Sequence, residues 1–250
     1  MPSAAVAPRL KLGQEAYKQL RWKQESRLRA EASLSEFIRQ AWTVLEPSTP
    51  YIHGWHIDAI CLHLEAVSKG WIRNLLINLP PRHMKSLTVS VFWPCWEWAT
   101  RPELRWLFVS YAESLSLRDS VKCRRLIQSQ WYQANWGHKF HLMGDQNAKE
   151  RYDNSASGYR LATSVNGSNT GEGGDRICVD DPHNIRERES DVIREGCLQW
   201  WDEVMPTRLN NPKTGTRVIV AQRVHERDLS GHVLEQGGWE HLCLPAEFEG

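Results

Sequence analysis

Lys85 and Ser86 stand side by side at the end of Leu75-Leu76-Ile77-Asn78-Leu79-Pro80-Pro81-Arg82-His83-Met84-Lys85-Ser86, an apolar run that leads into a proline-rich turn. An amphipathic segment starts directly after them. This is the layout of a phosphate-binding loop between a buried strand and a helix. Backbone N–H groups and the helix N-terminus cradle phosphate, the lysine neutralises it, and the serine hydroxyl can hold Mg²⁺. The standard pattern puts glycine six residues and one residue before the lysine; Leu79 and Met84 occupy those positions here. With a side chain at Met84, phosphate can still be met by its N–H if the loop keeps a negative φ there. Taken alone, the segment also reads as a core strand followed by a turn and a basic helix start.

A second segment carries the acids that phosphate chemistry needs. Arg176-Ile177-Cys178-Val179-Asp180-Asp181-Pro182 is another buried-strand pattern ending in paired carboxylates. Pro182 ends the strand because it has no N–H for a sheet ladder. In a parallel sheet the carboxyl ends of neighbouring strands open onto one crevice, where ligands bind. An Asp at such a tip can hold the Mg²⁺ of a nucleotide, and a second can orient or deprotonate an attacking water. By itself such a pair is commonly a turn; together with a Lys-Ser loop it is what a nucleotide hydrolase requires.

The elements that must position these groups alternate. A polar helical region over about 12–46 contains Lys18, Arg21, Lys23, Arg27 and Arg29, and Ser33 followed by Glu36 forms a capping-box pattern for a second helix ending near Leu45. Its basic residues read as a solvated face, with a DNA or partner arm as the alternative. Glu46-Pro47-Ser48-Thr49-Pro50 reads as a linker. A helix over 56–69, strand 73–79, helix 86–98, strand 105–110 and a basic helix over 113–129 are then expected. Short strands over 138–164 follow, then a Gly-rich loop over 166–175 and the acidic strand. A helix over 188–205, strand 217–221, helix 226–236 and a last strand over 239–244 close the chain. Strands separated by helices of this length imply a mainly parallel sheet covered on both faces.

Composition narrows the class. With 250 residues, the length suits one sizeable α/β domain plus a small appendage. The formal net charge is +1, so contact with DNA would need a local patch. Six scattered cysteines without a paired-spacing motif read as reduced thiols of a cytosolic protein. No signal peptide and no run of membrane-spanning length is evident. The 13 tryptophans read as packing between elements, with a base-stacking platform as the alternative. His53, His56 and His63, or His138 and His141, lack partners at zinc-ligand spacing.

Four blocks in this order resemble the ATPase domain of the large terminase subunit of tailed bacteriophages and prophages. The loop Asn78 to Ser86 resembles that family's deviant Walker A. Ser110-Tyr111 with Arg124-Arg125-Leu126-Ile127 resembles its next block. Thr170-Gly171-Glu172-Gly173-Gly174-Asp175 leading into Val179-Asp180-Asp181-Pro182 resembles its Walker B region. Val220-Ala221-Gln222-Arg223-Val224-His225-Glu226-Arg227-Asp228-Leu229 resembles its coupling segment. The likeness runs from about residue 53 to the end of the chain.

The resemblance implies an ASCE/RecA-like P-loop NTPase over 51–250, preceded by a helical arm and linker over 1–50. It also implies an ATP-driven motor that packages double-stranded DNA through a procapsid portal. ATP and Mg²⁺ would be its cofactors. Its partners would be duplex DNA, the portal protein, the small terminase subunit and further copies in a ring. It would work in the host cytoplasm, without a membrane. Nucleotide would lie against Pro81, Arg82, His83, Met84, Lys85, Ser86 and Leu87, with His56 near the adenine. Lys85 would meet the β- and γ-phosphates, Ser86 and Asp180 the Mg²⁺, and Asp181 the attacking water, in place of the longer Glu common in the family. Arg82 would stabilise the γ-phosphate, a role worth about 10³–10⁵ in rate where an arginine performs it, or else form a salt bridge. Gln222 and Arg223 would couple hydrolysis to movement, or be ordinary strand-end polarity. Arg118, Lys122, Arg124 and Arg125 on the basic helix form a candidate DNA-facing surface, or a solvated helix face. The family's second, nuclease domain would begin near where this chain ends, so no nuclease activity is expected from it. A helicase-like DNA-dependent ATPase and a degenerate nucleotide-binding scaffold are the rival readings.

Overall fold

A computed structural model of the chain describes residues 13–165, 167 and 171–245. Asn166 and Ser168 to Thr170 of the Gly-rich loop, the first 12 residues of the expected arm and residues 246–250 lie outside the described residues.

The helices are α1 (Gln14–Ala32), α2 (Leu34–Leu45), α3 (Trp55–Ser68), α4 (Trp93–Thr100), α5 (Glu113–Gln128), α6 (Gln130–Trp136), α7 (Asp191–Val204) and α8 (Leu229–Gln236). The strands are β1 (Asn74–Asn78), β2 (Trp106–Ser110), β3 (Leu142–Asn147), β4 (Arg151–Asn154), β5 (Tyr159–Ser164), β6 (Arg176–Asp180), β7 (Thr216–Ala221) and β8 (Glu240–Cys243). They form one eight-stranded sheet in the order β3-β4-β5-β2-β6-β7-β1-β8. The six strands from β5 to β8 along this order are parallel, and β4 and β3 extend the sheet antiparallel. This is the mainly parallel, helix-covered α/β architecture that the strand–helix alternation predicts. β7 stands between β1, which leads into the Lys85-Ser86 turn, and the acidic strand β6.

Register sets the working edge. Ser110 on β2 pairs with Asp180 on β6, Asp180 with Val220 on β7, and Val220 with Ile77 on β1. The carboxyl ends of four strands therefore lie level, and the segments that leave them meet at one edge. The last described part of the Gly-rich loop, Gly171 to Asp175, leads into β6 at the opposite edge, where Asp175 accepts from the Arg105 N–H and Glu172 pairs with Arg151.

Two apolar layers cover the sheet, one from α2 to α6 and one from α7 and α8. Trp93, Trp98, Trp106 and Trp136 are fully buried, with Trp93 edge-on to Trp106 at 4.8 Å, which supports the packing reading. The N-terminal helices join the same core: Phe37 of α2 packs edge-on against Trp131 at 5.4 Å, and the Trp96 indole donates to the Ala30 carbonyl. Half of the predicted capping box is present, because the Ser33 hydroxyl accepts from Glu36 N–H while the Glu36 carboxylate turns to Arg39 and Gln40. The helix after the phosphate loop is not the uniform α-helix expected. It opens as π-helix over Leu87–Phe92 before becoming α4. Pro94 has no N–H and its ring crowds the carbonyl four residues back, and a wider turn before it relieves that crowding. Among the described residues, no helix is long and apolar enough to cross a membrane.

Candidate functional site

The turn from Leu79 to Ser86 leaves β1 at the carboxyl edge of the sheet. Arg82 and Met84 within it take positive φ, 67° and 61°. The condition of a negative φ at Met84 is therefore not met: the loop keeps the left-handed backbone that glycine takes freely, at a cost of roughly 1–2 kcal/mol for a residue with a Cβ. Packing of the Met84 side chain against the core offsets part of that cost. The turn delivers Lys85 into the interior, where it is 7% exposed.

Opposite stands the tip of β6. Lys85 Nζ and Asp181 Oδ1 form an ion pair. Asp181 itself takes φ 47°, its N–H donates to Val220 O, and its carbonyl accepts from Tyr111 N–H. The Gln222 N–H reaches Asp181 Oδ1 at 3.3 Å. Backbone bonds to β7 and to the residue after β2 thus hold the turned-out carboxylate over the loop. Asp180 points the other way, into the protein. Its Oδ2 accepts from the Ser90 hydroxyl at 2.9 Å, and its Oδ1 is buried with no hydrogen-bond partner. Burial pushes the Asp180 carboxyl up to about 7, the charges of Asp181 and Asp119 push the same way, and Lys85 opposes them.

Lys85, Asp181 and Gln222 border a cavity of about 390 Å³, which Asp180 and Ser90 do not line. The loop contributes Pro81, Arg82, Met84, Lys85, Ser86 and Leu87, β6 contributes Asp181, and the residue after β7 contributes Gln222. The remaining wall comes from α5, through Arg118, Asp119 and Lys122. The phosphate-loop residues and Asp181, separated by the whole βαβ core in sequence, are thus brought together.

Other expected site residues lie elsewhere. His83 lies within the loop and His56 beside it, their rings edge-on at 5.5 Å, and His83 donates to the Pro81 carbonyl at 2.9 Å. Neither lines the cavity. Burial lowers the His56 pKa, and His83 and His53 lower it further. Arg223 points away from the cavity to Asp228 and to the carbonyls of His225 and Glu226, where it ties the turn that starts α8. The four basic residues of α5 do not share one outward surface. Arg118 and Lys122 face the cavity, Arg124 donates to the Asn147 carbonyl and side chain, and Arg125 is exposed.

Two participants carried no motif. Asp119 is a buried acid inside a basic stretch, 3% exposed, and an acid there is itself the signal. Ser90 lies one helical turn past Ser86, so it faces the same side as the loop hydroxyl. No cluster of three or more His, Cys, Asp or Glu suited to a metal occurs among the described residues. Mg²⁺ needs fewer, since one or two carboxylates plus substrate phosphates and water complete its shell. The unpartnered, buried Asp180 Oδ1 beside Ser86 suits that role.

No family model matches the chain, and no curated protein matches it. Solved structures with a similar fold include the large terminase of a thermophilic bacteriophage in complex with ADP, at 12% identity and TM-score 0.46, over 72% of this chain and 44% of that one. The ATPase domain of a Thermus phage large terminase aligns at 14% identity and TM-score 0.44, over 81% and 84%. A Drosophila origin recognition complex bound to AT-rich DNA and Cdc6 aligns at 11% identity and TM-score 0.33, over 99% and 36%. This chain spans less than half the length of the first of these. Neither the identities nor the superpositions are close enough to transfer a role to any of its residues.

Proposed function

We propose that the chain is an ATP-hydrolysing motor domain of the large-terminase kind, which drives double-stranded DNA into a procapsid through its portal. The observation that carries the hydrolase reading is the meeting of Lys85 and Asp181 across one cavity at the carboxyl edge of a parallel sheet. This is the edge at which such sheets bind ligands.

In the ligand-free site Asp181 neutralises Lys85. An incoming polyphosphate replaces that carboxylate as the partner of Lys85, with backbone N–H groups of the loop adding to its charge neutralisation. Asp181, released from the lysine, is free to accept a hydrogen bond from water and to orient it toward the terminal phosphate. Arg82 borders the cavity and its guanidinium supplies further positive charge to the phosphates. Ser86 and Asp180 would hold Mg²⁺, which when bound neutralises charge on the β- and γ-phosphates. Gln222 touches Asp181 through its N–H and lines the cavity, so a change in the hold on Asp181 is felt at the end of β7. From there Asp228 and Arg223 lead into α8.

Duplex DNA, a portal, a small subunit and a ring of copies in the host cytoplasm are the partners that this reading implies. The scaffold alternative draws on Met84, but a residue held at positive φ with Lys85 still delivered to the cavity favours a working loop. Calorimetric titration of ATP with Mg²⁺ into the protein, repeated with Lys85→Ala and then with duplex DNA, tests the proposal. Lys85-dependent binding and turnover stimulated by duplex DNA are expected. Binding indifferent to Lys85 contradicts the nucleotide site, and turnover indifferent to duplex DNA contradicts the motor.

A further inference from the structure

Arg118 is chemically misplaced for a DNA contact. It borders the same cavity as Lys85 and Asp181, and it comes from α5, a helix that none of the phosphate motifs includes. Its Nε donates to Asp119 Oδ1 at 2.9 Å and its Nη2 to Asp119 Oδ2 at 3.0 Å. This fork fixes the plane of the guanidinium and leaves Nη1 without a protein partner among the described residues. Asp119 is buried, so the fork is anchored in the interior while the rest of the guanidinium, about half exposed, reaches the cavity. Asp180 and Asp181 are near enough for their charges to reinforce that of Arg118. The guanidinium therefore shares the cavity with Asp181 and the loop, on the wall that α5 supplies. Lys122, one turn further along α5, also borders the cavity, but its ammonium is held by Glu46 at 2.9 Å.

We propose that Arg118, aimed by Asp119, contacts the terminal phosphate of the bound nucleoside triphosphate and makes the site discriminate triphosphate from diphosphate. The inference rests on the ATPase reading given above. If Asp181 orients water at the scissile phosphate, the terminal phosphoryl group must lie beside the acids, and Arg118 is the cation stationed there with donors to spare. Arg82 and Lys85 approach the polyphosphate from the loop side. With Arg118 the cavity wall carries three cations that can meet phosphate, against the two carboxylates of Asp119 and Asp181. Only an arginine can hold Asp119 with one edge and offer further donors in the same plane, so lysine is a poor substitute. Asp119 is a positioning residue, acting through Arg118.

The test measures dissociation constants for a non-hydrolysable ATP analogue and for ADP, with Mg²⁺, in wild type, Arg118→Ala, Arg118→Lys, Asp119→Asn and Lys85→Ala. Thermal melts confirm that each variant is folded, and duplex-DNA binding is measured alongside. Loss of one charge-assisted contact should weaken the triphosphate analogue by roughly 10–100-fold in Arg118→Ala while ADP shifts by less than about threefold. Arg118→Lys should recover a minor part of that loss. Asp119→Asn should lower affinity for the analogue in the wild-type background and, in a double variant with Arg118→Ala made for this comparison, add nothing further. Equal weakening of ATP analogue and ADP, or no change in either, overturns the proposal. So does loss of duplex-DNA binding with nucleotide binding intact, which would return Arg118 to the DNA surface. If Lys85→Ala abolishes both nucleotides while Arg118→Ala changes neither, this inference alone fails. If the wild type binds neither nucleotide, the ATPase reading fails with it.

Discussion

Lys85 and Asp181 form an ion pair across the cavity although 96 residues separate them in sequence. Each group has the other as its counter-charge in the absence of ligand, so the nucleotide competes with Asp181 for Lys85. Binding and catalysis thus make opposite demands on the same carboxylate.

Asp181→Asn should separate the two. The amide carries no charge to compete for Lys85, so ATP should bind several-fold more tightly. Turnover should fall by about 10²–10⁴, the usual worth of a positioned acid–base group. Asparagine tolerates the left-handed backbone at φ 47°, so the fold should be unaffected. Titration calorimetry with steady-state phosphate release checks both halves. Weaker binding together with lost turnover would mean that the pair is structural.

Asp180 makes the ligand-free protein sensitive to pH. Its carboxyl titrates near 7 in the folded protein against about 3.9 in an unfolded chain. Between these values the folded state binds more protons than the unfolded state, so this group's contribution to stability falls as pH rises and reaches its lowest level above 7. Asp180→Asn removes the charge. In thermal melts with chelator and no nucleotide, the variant should be more stable than wild type above pH 7, with the difference shrinking toward pH 5. A difference that is constant over this range would contradict it.

Met84→Gly addresses the loop. Glycine takes φ 61° without the Cβ conflict and clears space beside the phosphates, so nucleotide should bind about 2- to 10-fold more tightly. Relief of backbone strain and loss of the side chain's core contacts work against each other, which keeps the change in stability within about 1 kcal/mol. Fluorescent-nucleotide titration and a urea melt measure the two effects, and weaker nucleotide binding would contradict the proposed crowding.

At the far edge of the sheet, Glu97 is 1% exposed and accepts from Arg176 Nε at 2.9 Å and Nη2 at 3.1 Å, with Arg101 as a second partner. Burial draws the Arg176 pKa down to about 10. Glu97→Ala leaves a buried guanidinium without its carboxylate and should cost about 3–5 kcal/mol in denaturant unfolding, with nucleotide affinity of the folded fraction unchanged. A cost under about 1 kcal/mol would show that Arg176 finds water instead.

The strands and the two phosphate motifs were legible because each rests on local pattern: apolar runs stopped by Pro80 and Pro182, with Lys85 and Asp180-Asp181 directly at their ends. The parallel sheet then brings them to one edge by register alone. Less legible was anything that depends on which way a helix faces. The charges of α5 read as one basic surface, yet Arg118 and Lys122 turn inward to the cavity and Arg124 is consumed by Asn147. Asp119 passed unnoticed because an isolated acid beside an arginine has no motif. The backbone of Met84 is not legible from its residue type, because φ in a turn is set by the residues that the loop must deliver, here Lys85, rather than by the preference of the residue itself.

Steady-state phosphate release from ATP with Mg²⁺, compared between wild type and Lys85→Ala, bears on all of this at once. Saturable turnover in the wild type, reduced at least about 100-fold in a folded Lys85→Ala protein, is the expected result. Turnover that is equal in the two proteins, or absent from both, would contradict the assignment of this cavity as a nucleotide-hydrolysing site.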